Sequence, residues 1–138
     1  MEIGSKLMKV KDLIAETTGS VGLDLRIDEP VKILPDEIKL VFTTLKGPLS
    51  ENHDLIGMVC SRSSMAKQGL VIINSPGIID ADYNGYIGVI FKNMTDEPIV
   101  LKRNERIAQI LLMKKDMFYV PNSNNKQRTG GFGSTGKE

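Results

Sequence analysis

An all-β domain, built as a sandwich, jelly roll or barrel, is what this sequence predicts, and three observations carry that prediction. Short runs of β-branched and aliphatic residues recur at close spacing, from Leu23-Asp24-Leu25 to Met117-Phe118-Tyr119-Val120. Turn formers such as Asp28-Glu29-Pro30, Pro35-Asp36 and Asn74-Ser75-Pro76-Gly77 separate them. Helical periodicity is nearly absent. Many short strands punctuated by turns, with little helix, are the signature of antiparallel β architecture. The 138 residues suffice for one domain with its own core, and no internal repeat is visible.

In chain order, residues 6–14 fit either a helix or a strand: Leu7, Val10, Leu13 and Ile14 have helical spacing, whereas Lys9-Val10-Lys11 alternates. Val21 to Ile27 alternates cleanly and places Asp24 between Leu23 and Leu25. Val31–Leu34 and Ile38–Phe42 are expected as short strands around the Pro35-Asp36 turn. Lys46 to Asp54 is a loop, and Ile56 to Cys60 a strand running into Ser61-Arg62-Ser63-Ser64. Met65–Gln68 suits one helical turn before Gly69. Leu70–Ile73 and the stretch from Ile78 are expected to form a hairpin about Pro76-Gly77, in type II geometry, because Pro presets φ and Gly accepts φ > 0. Type II turns match hairpin twist poorly, so two outcomes stay open: a plain core hairpin, which the hairpin alone favours, or strands splayed enough to admit a flat ligand. Tyr86–Phe91, Ile99–Leu101 and Ile107–Met113 complete the apolar strands, with Met117–Val120 as the last. The expected organisation is a β domain over 1–120 and a flexible arm over 121–138, rich in Asn, Ser, Gly and Thr.

Composition narrows the function. The formal net charge of +1 offers no general attraction to nucleic acid or membrane surfaces. No apolar run approaches the roughly 18 residues that span a bilayer, and Met1–Lys6 has no signal-peptide core. Cys60 is the single cysteine and His53 the single histidine, which excludes a disulfide framework and a Cys/His zinc site and suits a reducing cytoplasm. His53, in a polar loop, has no serine partner worth proposing as a nucleophile.

Several groups have the chemistry of a phosphate ester site. Asp80 and Tyr83 lie just past the hairpin turn. Ser61-Arg62-Ser63-Ser64 combines a guanidinium, hydroxyls and turn amides at a strand end, a suitable oxyanion set. Asp24 and Gln109, each in an apolar strand, need polar partners or a ligand. The tail Gly131-Phe132-Gly133-Ser134-Thr135-Gly136-Lys137 imitates a phosphate loop, but Glu138 stands where Ser or Thr is required, and the Asn- and Ser-rich stretch before it supplies no strand. Its amides and hydroxyls, with Arg128 upstream, still suit phosphate oxygens.

Together these segments resemble the trimeric dUTP pyrophosphatase (dUTPase) family, whose five short motifs all occur here in order. They are Ser20-Val21-Gly22-Leu23-Asp24-Leu25; Ser61-Arg62-Ser63-Ser64; Asn74 with Gly77-Ile78-Ile79-Asp80-Ala81-Asp82-Tyr83-Asn84-Gly85; Arg106-Ile107-Ala108-Gln109; and Arg128 with Gly130-Gly131-Phe132-Gly133-Ser134-Thr135-Gly136. The resemblance implies a jelly-roll-like β barrel, a homotrimer whose three sites lie between subunits, and an arm that completes a neighbour's site. It implies Mg²⁺-dependent hydrolysis of dUTP to dUMP and pyrophosphate. Asp80 would hold and deprotonate the attacking water. Asn74 and hairpin backbone, including Gly77, would read uracil, and Tyr83 would lie under the deoxyribose. Arg62, Ser63, Ser64 and Gln109 would contact the triphosphate. Asp24 would act through metal-bound water, with Mg²⁺ held mainly by the triphosphate. Arg128 would clamp and Phe132 cover the uracil, joined by Gly133, Ser134 and Thr135. No nucleic-acid or membrane partner is implied.

The sequence departs from the family pattern at Ser64, where glycine is common, at Val21, where alanine is frequent, and in two spacings, Arg62 to Asn74 and Arg128 to Phe132, each one residue short. Two rival readings are a dUTPase-fold regulatory or interaction protein, phage-encoded ones included, and the related dCTP deaminase. Alignment on Gly85 and Asn93 puts Ile90 where the deaminase pattern has its proton-transferring glutamate.

Overall fold

The computed structural model describes residues 7–129 and 131. Among them the chain is nearly all β, and every strand ladder is antiparallel. The strands are β1 (Leu23–Arg26), β2 (Val31–Ile33), β3 (Ile38–Lys46), β4 (Leu55–Cys60), β5 (Leu70–Ile72), β6 (Gly77–Ile79), β7 (Tyr86–Asn93), β8 (Ile99–Leu101) and β9 (Arg106–Lys114), with one short helix, α1 (Ser63–Lys67), between β4 and β5. One sheet runs β1-β9-β4-β6, a second β3-β7-β5, and β2 pairs with β8. Alternation drives this arrangement. In β8, Ile99 and Leu101 are buried while Val100 between them is exposed, the period-2 pattern of a strand with one face on a core. The core between the sheets holds Phe91, Leu25, Ile27, Ile33, Leu70 and Ile110, all within 1 % of full burial.

Ile107 interrupts the alternation of β9. The β1–β9 register runs Leu25 opposite Ala108 and then Arg26 opposite Arg106, so Ile107 has no partner. Both Ile107 and Ala108 are consequently buried. Such a bulge bends the strand and re-aims the residue beside it; here that residue is Arg106, at the mouth of a polar cavity.

At the far end of β7, Asn93 ties the second sheet to the β2–β8 pair. Its Nδ2 donates to Ile33 O at 2.9 Å and to Glu97 O at 2.8 Å, while Oδ1 accepts from Thr95 N at 2.9 Å and Thr95 Oγ1 at 2.8 Å. A fully buried amide must find such partners, since leaving them out costs about 1–3 kcal/mol per group.

Three local expectations are corrected. Leu70–Ile73 and Gly77–Ile79 are not a hydrogen-bonded hairpin: β5 pairs with β7 and β6 with β4, so the two strands belong to different sheets. The turn between them is not type II, because Gly77 does not take positive φ; among the described glycines only Gly69 does, and the Ser75–Pro76 peptide is cis. Strands β2 and β3 do flank the Pro35-Asp36 turn as expected, with Asp36 in the left-handed conformation at φ 62°, and they pair with β8 and β7 respectively. Met117–Val120 is not a strand: Lys115–Met117 is a 3₁₀ turn, and Phe118, Tyr119 and Val120 are exposed without a ladder partner. Residues 7–14 are neither α-helix nor strand but a single parallel bridge, Met8 to Leu45, followed by a 3₁₀ turn at Val10–Asp12.

Candidate active site

The splaying of β5 from β6 opens a cavity of about 330 Å³, within the size range of small-molecule sites. Ile72, Val59 and Val89 give it an apolar wall; Asn74, Gly77, Asp80, Tyr83 and Arg128 line its polar side. The key turn follows β6. Tyr83 N donates to Asp80 O at 3.1 Å, closing a β-turn over Asp80–Tyr83. Ala81 is buried, which leaves Asp80 and Asp82 on the outer side of the turn, with 58 % and 46 % of their side chains exposed. The Tyr83 ring folds back over Gly85, and its hydroxyl donates to Tyr86 O at 2.7 Å. A Cβ on Gly85 would stand 2.6 Å from that hydroxyl oxygen, so glycine is required there by space. Burial pushes the Tyr83 pKa up, opposed by the nearby Arg128 charge.

Arg128 closes this side. Its Nη1 lies 2.8 Å from Asp80 Oδ2 and 3.4 Å from Asp82 Oδ1, and its guanidinium carbon is 5.5 Å from the Tyr83 ring centroid, within cation–π range. Gly131 lies against the same ring: a Cβ there would stand 2.8 Å from Tyr83 Cε1.

A second cavity, about 620 Å³, lies where β1, the β4–α1 junction and β9 meet. Asp24 holds two arginines across it, Arg62 Nε at 3.1 Å and Arg106 Nη1 at 3.3 Å. Arg62 Nη1 also donates to Ser64 Oγ at 3.1 Å and to Arg106 O at 3.3 Å. Gln109 lies opposite Asp24 in the ladder, donates Nε2 to Ser61 O at 2.9 Å, and packs against Gly22, which has no side chain to obstruct it. Ser63 is exposed at the same rim. Two guanidiniums against Asp24 leave a cationic, hydroxyl-rich surface suited to an oxyanion. Glu16 offsets part of it, 3.7 Å from Arg106.

The predicted residues thus fall into two groups. Asn74, Gly77, Asp80, Tyr83 and Arg128 line the first cavity, and Asp24, Arg62, Ser63, Ser64 and Gln109 the second. Among the described residues none lines both. Phe132, Gly133, Ser134 and Thr135 lie outside the described residues. Arg106, Asp82 and Gly131 were not singled out from the sequence, although each stands inside a quoted motif. Arg106 is the one cation in an otherwise apolar strand start, and Asp82 follows Asp80 across a single small residue, both legible signals. Ile90, at the position of the deaminase glutamate, is half-buried and lines the first cavity.

Among the described residues no group of three or more His, Cys, Asp or Glu side chains could cage a metal ion. The carboxylates of the second cavity, Asp24 and Glu16, both face arginine. This donor set fits a hard divalent cation only when substrate phosphates supply most of its oxygens, the usual mode for Mg²⁺.

An antiparallel β barrel with an apolar, aspartate-lipped slot and a separate two-arginine oxyanion surface defines a protein that handles a phosphorylated, flat-ringed ligand. The chain belongs to the dUTPase family, whose model matches residues 9–136. It is 41 % identical over 127 residues to a deoxyuridine 5'-triphosphate nucleotidohydrolase of Anaeromyxobacter sp. (strain Fw109-5), covering 88 % of this chain and 85 % of that protein. The crystal structure of dUTPase from Streptococcus mutans superimposes with a TM-score of 0.69 at 34 % identity, covering 80 % of this chain and 88 % of that one. A mutant dUTPase from phage phi11 of S. aureus, described with a structural Mg(II) ion, shares the fold at a TM-score of 0.67 and 20 % identity, over 84 % of this chain and 89 % of that one.

Proposed function

We propose that the chain is a dUTP diphosphatase, hydrolysing dUTP to dUMP and pyrophosphate. The observation that carries this reading is the slot between β5 and β6, with Asp80 at its lip and Tyr83 along its side. Uracil enters the slot, read by Asn74 and by backbone at Gly77. The sugar rests on Tyr83. The triphosphate meets Arg62, Ser63, Ser64 and Gln109. Asp80 orients a water and accepts its proton as the water attacks the α-phosphorus in line. Asp24 holds Arg62 and Arg106 in place and would meet a Mg²⁺ ion through the ion's bound water. Substrate phosphates would hold most of a Mg²⁺ ion's coordination, and the ion would supply charge neutralisation for the leaving pyrophosphate. Arg128, Phe132, Gly133, Ser134 and Thr135 close over the substrate and exclude bulk water. Positioning and charge stabilisation supply most of the rate, as in phosphoryl transfer generally. Deamination of dCTP is disfavoured because Ile90, at the cavity wall, cannot move a proton.

The active assembly is a homotrimer with each arm completing a neighbour's site. Two observations support it. Base and phosphate groups occupy separate cavities of one chain. Large apolar side chains stay exposed in it, among them Ile14 at 85 %, Val21 at 73 % and Tyr119 at 89 %, more than solvent favours unless a partner covers them. The arm is built to be exchanged: residues 121–127 are exposed, and among the described residues its side-chain hydrogen bonds to the domain come from Arg128 alone. The lone, half-buried Cys60 suits a reducing cytoplasm. Among the described residues no helix is long and apolar enough to cross a membrane.

The test is pyrophosphate release from dUTP set against dCTP, dTTP and UTP. Selective release from dUTP is expected, and equal release from all four would overturn the assignment. The sugar contact has its own test. Tyr83→Ala should lower the ratio of kcat/KM for dUTP over UTP by roughly tenfold, because the ring that a 2′-hydroxyl would strike is gone. An unchanged ratio would refute the role of Tyr83.

A further inference from the structure

The geometry points to Asp82 as a positioning residue that, with Asp80, forms a two-carboxylate resting seat for Arg128, one the substrate's phosphates must displace. The inference rests on the dUTP reading for its catalytic consequence but not for the seat itself. The seat follows from the turn. Ala81 is buried, so the residues on either side of it, Asp80 and Asp82, flank the same opening. The backbone bond from Tyr83 N to Asp80 O fixes their spacing. One guanidinium nitrogen, Arg128 Nη1, reaches both, at 2.8 Å and 3.4 Å. The Tyr83 ring and Gly131 complete the enclosure, and Arg128 keeps only 23 % of its side chain exposed, whereas residues 121–127 before it are exposed.

Carboxylate oxygens present to an arginine much what phosphate oxygens do: anionic acceptors at hydrogen-bond distance. In the substrate-free chain the two aspartates therefore stand in for phosphate oxygens as partners of Arg128, which covers one carboxylate oxygen of Asp80. Asp80 is committed to the reaction; Asp82 has no such task. Its contribution is to stabilise the resting arm, and whatever stabilises the resting arm opposes transfer of Arg128 to substrate.

Trypsin reads the seat without substrate. It cuts after Lys126 and after Arg128, and the second cut needs the arginine side chain free. Asp82→Asn should speed release of peptide 129–138 by roughly two- to fivefold, the range of a partly exposed ion pair, while Asp82→Glu, which keeps the charge, should largely retain protection. Cleavage after Lys126 should change less. With dUTP, Asp82→Asn should lower KM by a similar factor, with kcat moving less than KM. In an Arg128→Ala background the same substitution should leave KM where Arg128→Ala alone put it. Unchanged cleavage after Arg128 would overturn the seat, as would a KM effect that survives without Arg128. Failure to turn over dUTP would defeat the proposed function and leave the protease result to decide the seat.

Discussion

Asp80→Asn should keep its fold and its affinity for dUTP while losing about 10² to 10⁴ in turnover, the usual worth of a general base. The fold survives because the turn uses the Asp80 backbone carbonyl, not its side chain, and it is Ala81 that is buried. The side chain is more than half exposed, and asparagine matches its size. What asparagine cannot do is take a proton from water. The substitution also removes one partner of Arg128, but an exposed ion pair contributes at most about 1 kcal/mol, roughly a fivefold effect and too little to account for the expected loss. Single-turnover rates with dUTP, together with the dissociation constant of a non-hydrolysable dUTP analogue, separate chemistry from binding. Wild-type turnover in this variant would remove Asp80 from the mechanism, whereas an equal loss in binding would make it a substrate contact instead.

A chain ending at Gln127 should fold, assemble and hydrolyse dUTP on the order of 10³ more slowly, the scale of an arginine that stabilises a phosphoryl transition state. Residues 121–127 are exposed and support nothing in the domain. Beyond them the truncation removes Arg128 and the glycine, serine and threonine groups of the tail. If arms serve neighbouring sites, this defect and Asp80→Asn should complement. The Asp80→Asn chain carries a sound arm, and the truncated chain a sound Asp80. Each homotrimer should be nearly inactive. Mixed trimers, made by unfolding and refolding the two chains together, should contain sites with both parts and should exceed the sum of the separate enzymes. In the single chain Arg128 meets its own Asp80, so the opposite outcome has a definite meaning. No gain, with mixed trimers demonstrated by mass spectrometry, would show that each arm serves its own chain's Asp80.

The sequence by itself determined the all-β class, the strand runs and the chemical groups of the site, because these are local. Alternation in Ile99-Val100-Leu101, turn formers between runs and five ordered motifs need no partner to be recognised. Only the tertiary structure decided which strands meet. Leu70–Ile72 and Gly77–Ile79 are neighbours in sequence yet pair with β7 and β4, in different sheets. The slot exists because of that divergence. Likewise, the alternation of β9 gives no hint that Ile107 is skipped in the ladder, which aims Arg106 at Asp24, 82 residues away in sequence. Phe118–Val120 reads as a strand by propensity but joins no ladder among the described residues, and a strand without a partner leaves its backbone to water. Propensity is a property of a segment; pairing is decided by the competition of all segments for the same edges and the same core, and that competition placed Asp80, Asp82 and Tyr83 around Arg128.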